Sequence, residues 1–288
     1  MSARLRALAK ETEGLVATGR YRTARGVEVA IGEAVERAVR GTRMYGPGPV
    51  DPGPVDPGTG PGAAGTDAAG GGPTAFAVTG EDSLRAARRL VREAPGTPVA
   101  VLNFASARNP GGGYVNGAQA QEEALCRASA LYTTLLTVRE FYDWHRADRS
   151  PFYSDRVIHS PGVPVFRDEH GVLLDEPFEA GFLTSAAPNA GVIARQDPAS
   201  VERVPAALVS RAGRVLEVAA AHGYPSLVLG AWGCGVFRND PAAVAAAFRE
   251  HLGPGGRFAG RFGRVVFAVL DRRADSLTRA AFAAAFPG

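Results

Sequence analysis

The sequence predicts an α/β fold in which helices cover both faces of a largely mixed β-sheet. Three observations carry this: short apolar runs recur along the chain, amphipathic stretches of helical period separate them, and two of the runs end in glycine-rich loops that lead into further helices. In such a fold, ligands belong at the loops beyond the strand ends.

Taken in order, Leu5, Leu8, Leu15 and Val16 recur at an approximately helical period and predict an opening helix, followed by a turn at 19–26 and a strand at 27–31. Residues 1–45 thus read as an N-terminal helical extension. Residues 46–73 are almost entirely Gly, Pro, Ala, Asp and Val, a composition that cannot bury a core, so a flexible surface insertion is expected there. Its short duplicated unit is far below the length of a solenoid repeat. Strand and helix patterns then alternate: a strand at 75–78, a helix at 81–93, a strand at 99–104 and a helix at 119–138. Extended runs follow at 156–160, 163–167 and 181–185, then a long helix at 198–223, a strand at 226–230, a helix at 241–252, a strand at 264–270 and a terminal helix.

With 288 residues, 45% of them hydrophobic, the chain suits one packed domain spanning 1–288. Charged residues make up 21% and nearly balance, and a net charge of +3 does not indicate sequence-specific nucleic-acid binding. The arginines at 85–92, 203–214 and 257–273 read as solvated helix faces. The two cysteines, Cys126 and Cys234, lack the paired spacing of a zinc site or disulfide framework, which points to a reducing interior. The first twenty residues hold no signal-like apolar run, and nowhere do about 18 apolar residues run together. A soluble, cytoplasmic monomer without membrane contact is expected.

The most informative stretch is 102–127, LNFASARNPGGGYVNGAQAQEEALCR, which passes from a buried strand through a glycine loop into a helix. Gly111, Gly112 and Gly113 let the backbone approach a ligand and turn amide N–H groups inward, as a phosphate nest requires. The following helix adds a positive dipole end. Gln121, Glu122 and Glu123 lie at its start, where acids also occur simply because they complement the dipole. Neighbours on a regular helix point about 100° apart, so both carboxylates reach one substrate only at an irregular helix entrance. A second loop at 230–240, GAWGCGVFRND, again joins a strand to a helix, with Gly230, Gly233 and Gly235 interrupted by Trp232, Cys234 and Phe237. Two such loops could grip one diphosphate, and the aromatics could cover a ribose or base or belong to the core. Cys234 has no histidine nearby in sequence and no catalytic-cysteine motif. His159, His222 and His251 are isolated, and Phe141, Tyr142 and Trp144 read as packing. NPGGGYVNG lacks the lysine and Ser/Thr of a P-loop and the spacing of a dinucleotide fingerprint. No metal and no cofactor are expected.

On these residues the sequence resembles the bacterial-type poly(ADP-ribose) glycohydrolases, marked by GGG, a spacer and QEE. Here Gly111 to Gly113 are followed after seven residues by Gln121, Glu122 and Glu123, with NFASARNP before them and GAWGCGVF more than a hundred residues later. The likeness extends to ETEGLVATGRY near the N-terminus and leaves out the Gly/Pro insertion. It implies a macrodomain-like three-layer α/β/α sandwich and release of ADP-ribose from the chain ends of poly(ADP-ribose). Glu123 would be the catalyst, and Glu122 would orient the ribose. Phe237 would pack on the distal ribose, and Ser106 or Asn109 would contact a ribose hydroxyl. Gly111, Gly112, Gly113, Gln121, Gly233, Cys234, Gly235 and Val236 would complete the binding surface. Substrate binding is expected to create the acid, because a diphosphate and the exclusion of water favour a neutral carboxyl. Removal of single ADP-ribose groups from proteins or nucleic acids, or ADP-ribose reading without catalysis, are the alternatives.

Overall fold

The computed structural model describes residues 2–50, 73–271, 273 and 275–287. The extension consists of α1 (Ala3–Thr18), a two-stranded antiparallel hairpin of β1 (Arg20–Arg22) and β2 (Glu28–Ala30), and α2 (Gly32–Gly41). Ser2 caps α1 by accepting the Leu5 N–H, and Gly19 closes it in the left-handed region at φ 67°. The Gly/Pro-rich segment falls, at 51–72, outside the described residues.

The main sheet has seven strands: β3 (Arg43–Tyr45), β4 (Ala75–Thr79), β5 (Val99–Phe104), β6 (Val157–Arg167), β7 (Leu173–Ser185), β8 (Ser226–Gly230) and β9 (Arg264–Ala268). Their spatial order is β3-β6-β7-β5-β8-β9-β4. β3, β6 and β7 pair antiparallel, while β7, β5, β8, β9 and β4 run parallel. The five parallel strands therefore end at one edge of the sheet, and the loops that follow them share that edge.

Alternation along the strands divides the core. Val99 and Val101 on β5, Val228 on β8 and Val266 on β9 pack with α1, α2, α3 (Ser83–Glu93) and α4 (Gln121–Ala128) on one face. Ala100, Leu102, Leu227, Leu229, Val265 and Phe267 pack with α8 (Val204–Ala221), α9 (Pro241–Leu252) and α10 (Leu277–Ala285) on the other. Side chains two apart on a strand share a face, so the period-2 pattern alone produces the three layers. The expected mixed sheet between helical layers is what the chain forms.

Several boundaries differ from expectation. The helix expected at 119–138 is broken into α4 and α5 (Leu131–Leu135), with α6 (Arg139–Asp148) following. At the break, Ser129 is extended at φ −145°, ψ 175°; its hydroxyl donates to Leu125 O at 2.7 Å and accepts the Leu131 N–H at 3.2 Å. A serine side chain competing for helical hydrogen bonds accounts for the interruption. The runs at 156–160 and 163–167 are one strand, β6, with a register shift between Ser160 and Val163 where Gly162 takes φ 53°. The long helix expected at 198–223 opens as a 3-10 turn, Pro198–Arg203, before α8, and α7 (Ala190–Gln196) precedes it unpredicted. β1, α2, β3 and α6 were likewise not expected from the pattern. β7 begins earlier than residue 181, and β9 stops at Ala268.

Candidate active site

The site is assembled at the edge where the parallel strands end. Helix α4 starts at Gln121, and its N-cap residue, Ala120, supplies no side-chain cap. Both glutamates of the first turn fold back toward the glycine loop. Glu123 Oε1 accepts the Gly113 N–H at 2.8 Å, and its Oε2 is buried with no hydrogen-bond partner among the described residues. Glu122 is buried at 3% exposure and accepts two hydrogen bonds, from Ser106 N–H at 2.7 Å and Asn103 Nδ2 at 3.1 Å. Burial pushes the Glu122 carboxyl up to about 8; those two hydrogen bonds oppose the shift, and the neighbouring Glu123 charge adds to it.

Gly112 shows why the loop requires glycine. At φ 59° its missing Cβ would lie 2.6 Å from Glu123 Oε1 and 3.0 Å from Glu122 Oε2. Both carboxylates thus close on the same point, which the irregular helix start permits despite their adjacent positions in sequence.

Other expected residues take different parts. Gln121 ties the end of β5 to the start of α3: its Oε1 accepts Phe104 N–H at 2.9 Å, and its Nε2 donates to Leu102 O at 2.8 Å and Ser83 Oγ at 3.1 Å. The amide is therefore engaged within the protein. Ser106 Oγ accepts the Asn109 N–H at 3.2 Å, and Asn109 is exposed. Of this pair, Ser106 is the one joined directly to a carboxylate.

The second loop meets the first through β7. Ser185 O accepts both the Ala105 N–H at 3.1 Å and Trp232 Nε1–H at 3.0 Å. Trp232 is a core residue at 1% exposure. Asn239 Nδ2 ties the loop base by donating to Pro188 O at 2.9 Å. Phe237 lies with its ring 5.8 Å from that of Tyr153, and its carbonyl accepts the Gly191 N–H at 2.9 Å. Tyr153 also packs on Ala105, Ala107 and Ala186, so one ring touches the strand exits and the loop tip. Val236 is 82% exposed. Burial pushes the Cys234 thiol up to about 12, which leaves it protonated and unsuited to nucleophilic attack.

This arrangement, two glycine loops with a carboxylate pair at the end of β5, coincides with a family match: the microbial-type PARG catalytic domain matches residues 9–168, more than half of the chain. The chain belongs to the microbial-type PARG family. Solved structures agree with that membership. The poly(ADP-ribose) glycohydrolase of Thermomonospora curvata is 49% identical, with a TM-score of 0.88, over 99% of this chain and 100% of that one. The same enzyme bound to the inhibitor ADP-HPD gives 47% identity and a TM-score of 0.87, over 99% and 100% of the two chains. The Deinococcus radiodurans enzyme in complex with ADP-ribose is 43% identical, with a TM-score of 0.75, over 87% and 96%. No curated protein matches the sequence significantly.

Within this PARG domain, sequence reasoning missed three site residues. Asn103 is fully buried; its Nδ2 reaches both Glu122 and Thr184 Oγ1, the latter at 3.1 Å, and its Oδ1 has no partner among the described residues. A polar residue in the apolar run 99–104 was the available signal. Tyr153 stands at φ 59°, unusual for a non-glycine residue, but nothing local in the sequence marks it. Tyr114 fastens the loop to α1, donating to Ala9 O at 3.1 Å and Glu13 Oε1 at 2.9 Å. Among the described residues, no helix is long and apolar enough to cross a membrane.

Proposed function

We propose that the chain hydrolyses the ribose-ribose O-glycosidic bond of poly(ADP-ribose) from chain ends and releases ADP-ribose, with Glu123 carrying the proton. The observation that supports this reading is the Glu123 carboxyl: one oxygen is fixed by the Gly113 N–H and the other is buried and without a partner among the described residues. A polar oxygen left unsatisfied beside a glycine loop is available to a substrate hydroxyl or bridging oxygen. Relatives with this architecture bind ADP-ribose and ADP-HPD, and the same ligand chemistry suits the two loops here.

The bond is an acetal. Its cleavage needs a proton on the departing oxygen while positive charge develops on the ribose ring. Glu123 donates that proton, and the resulting carboxylate then takes one from the attacking water, so one residue serves both half-steps. Burial pushes the Glu122 carboxyl up to about 8, which favours its protonated form. Held by Asn103 and Ser106, Glu122 in its protonated form can hydrogen-bond the ribose beside the Glu123 acid. The Gly112 and Gly113 N–H groups are taken by Asn109 O and Glu123 Oε1, at 2.9 and 2.8 Å, so on this wall the start of α4 is what faces an anionic diphosphate favourably.

The test compares poly(ADP-ribose) with mono-ADP-ribosylated protein and nucleic acid, reading released ADP-ribose. Consumption of the polymer alone is the expected result. Turnover confined to the mono-modified substrates would overturn the reading, as would tight ADP-ribose binding with no turnover of any substrate.

A further inference from the structure

A cleft of about 470 Å³ opens between α6, residues 149–153, α7 and the 3-10 turn Pro198–Arg203. It shares one wall with the candidate active site. Tyr153 lines the cleft and also packs against Phe237 and against Ala105, Ala107 and Ala186 at the strand exits. In the sheet, β5 ends beneath the carboxylates of α4, with β8, β9 and β4 on one side and β7 and β6 on the other. Residues 149–156 precede β6 and α7 follows β7, so the cleft belongs to the β7 side.

A glycosidic bond under attack has two sides. The glycine loops take the unit to be released, and the rest of the polymer must leave in another direction. Resting on the function proposed above, we infer that this cleft is the leaving-side subsite, receiving the penultimate ADP-ribose unit of the polymer. Its chemistry suits a nucleoside diphosphate. Trp144 and Phe152 offer aromatic surface, and Arg156 lies 3.8 Å from the Trp144 ring centroid, holding the indole in place. Arg203 sits 5.0 Å over the Phe152 ring, a cation beside an aromatic face. Asp148 and Gln196 on the same lining can accept hydrogen bonds from ribose hydroxyls or an adenine amine.

Charge continues past the cleft. Arg146, also paired with Asp143 at 2.5 Å, donates to Arg108 O at 2.6 Å, and Arg108 donates to Arg149 O at 3.0 Å, which gathers three arginines by the end of α6. Two of these side chains are thus oriented by main-chain oxygens. Each polymer unit carries a diphosphate, so a cationic strip of this kind attracts the chain and weakens as salt screens it.

The experiment measures kcat and KM on poly(ADP-ribose) and the Kd of free ADP-ribose for the full-length wild type, Arg203→Glu and Trp144→Ala. Arg203 is exposed, so its replacement leaves the fold intact; thermal melting checks Trp144→Ala. Expected is a roughly three- to tenfold loss of kcat/KM on polymer, carried by KM, with ADP-ribose affinity unchanged within about twofold. The Arg203→Glu loss should shrink as ionic strength rises. Equal weakening of ADP-ribose binding would assign the cleft to the released unit and overturn the inference. Unchanged polymer kinetics in Arg203→Glu, beside an active wild type, would overturn it alone. A wild type that releases no ADP-ribose would sink the glycohydrolase reading and the subsite together.

Discussion

The loop holding Gly111 to Gly113 and the loop from Gly230 to Asp240 both leave a buried parallel strand, yet glycine serves different ends in them. In the first, the space of a Gly112 side chain is already occupied by the two carboxylates, 2.6 and 3.0 Å away. In the second, Gly233 makes room for packing, since a Cβ there would stand 2.7 Å from that of Ala187, while Gly235 faces nothing within 4 Å among the described residues. The first loop is a closed cradle around titratable groups. The second is anchored at its base by Trp232 and Asn239 and open at its tip, where Val236 is exposed. A site built this way keeps its acid rigid and lets the opposite wall adjust to the substrate.

The comparison breaks most visibly at Glu123. Glu123→Gln keeps the side-chain size and removes the transferable proton, so kcat on polymer should fall by about 10²- to 10⁴-fold with ADP-ribose binding retained. A wild-type rate from that variant would show that the cradle does not hold the acid. Gly112→Ala comes next. It forces a left-handed backbone on alanine and displaces both carboxylates, which should cost on the order of 10²-fold in kcat and roughly 1–2 kcal/mol in denaturant stability. Normal kinetics from Gly112→Ala would mean that the close approach is not required.

Glu122 sharpens the comparison through pH. Its folded-state value, about 8, lies above the ordinary 4.5, so the folded protein keeps a proton that the unfolded chain loses between those limits. Stability must therefore fall as pH rises across that window and level off above it, by a few kcal/mol in order of magnitude. Glu122→Gln should flatten that slope in denaturant titrations at pH 5 and pH 8, and the wild-type kcat should decline above about pH 8 as the Glu122 charge appears in the site. An identical slope in variant and wild type would contradict the burial argument. The smallest effect is expected at the open tip: Gly235→Ala should change stability by less than about 0.5 kcal/mol and activity by less than about twofold. A large loss there would make the second loop as closed as the first.

Much of this molecule was legible because the relevant physics is local. Strand alternation, helical period and glycine-loop chemistry are properties of neighbouring residues, and they led to the mixed sheet, its two helical layers and the grouping of Gly111 to Gly113 with Glu122 and Glu123. The tertiary structure alone decided what depends on distant partners. Asn103 reaches Glu122 because α4 folds back over the end of β5, and the pairing of β5 with β7 lets Thr184, 81 residues away, share the same amide. Tyr153 becomes the wall between two sites through a ring and methyl groups that three separate segments supply. The break at Ser129 follows from its hydroxyl and its bridge to Val165, and the upward shift of the Glu122 carboxyl follows from burial that no single stretch of sequence encodes. Periodicity reports which face a residue occupies; desolvation and partnership depend on what the rest of the chain brings to that face.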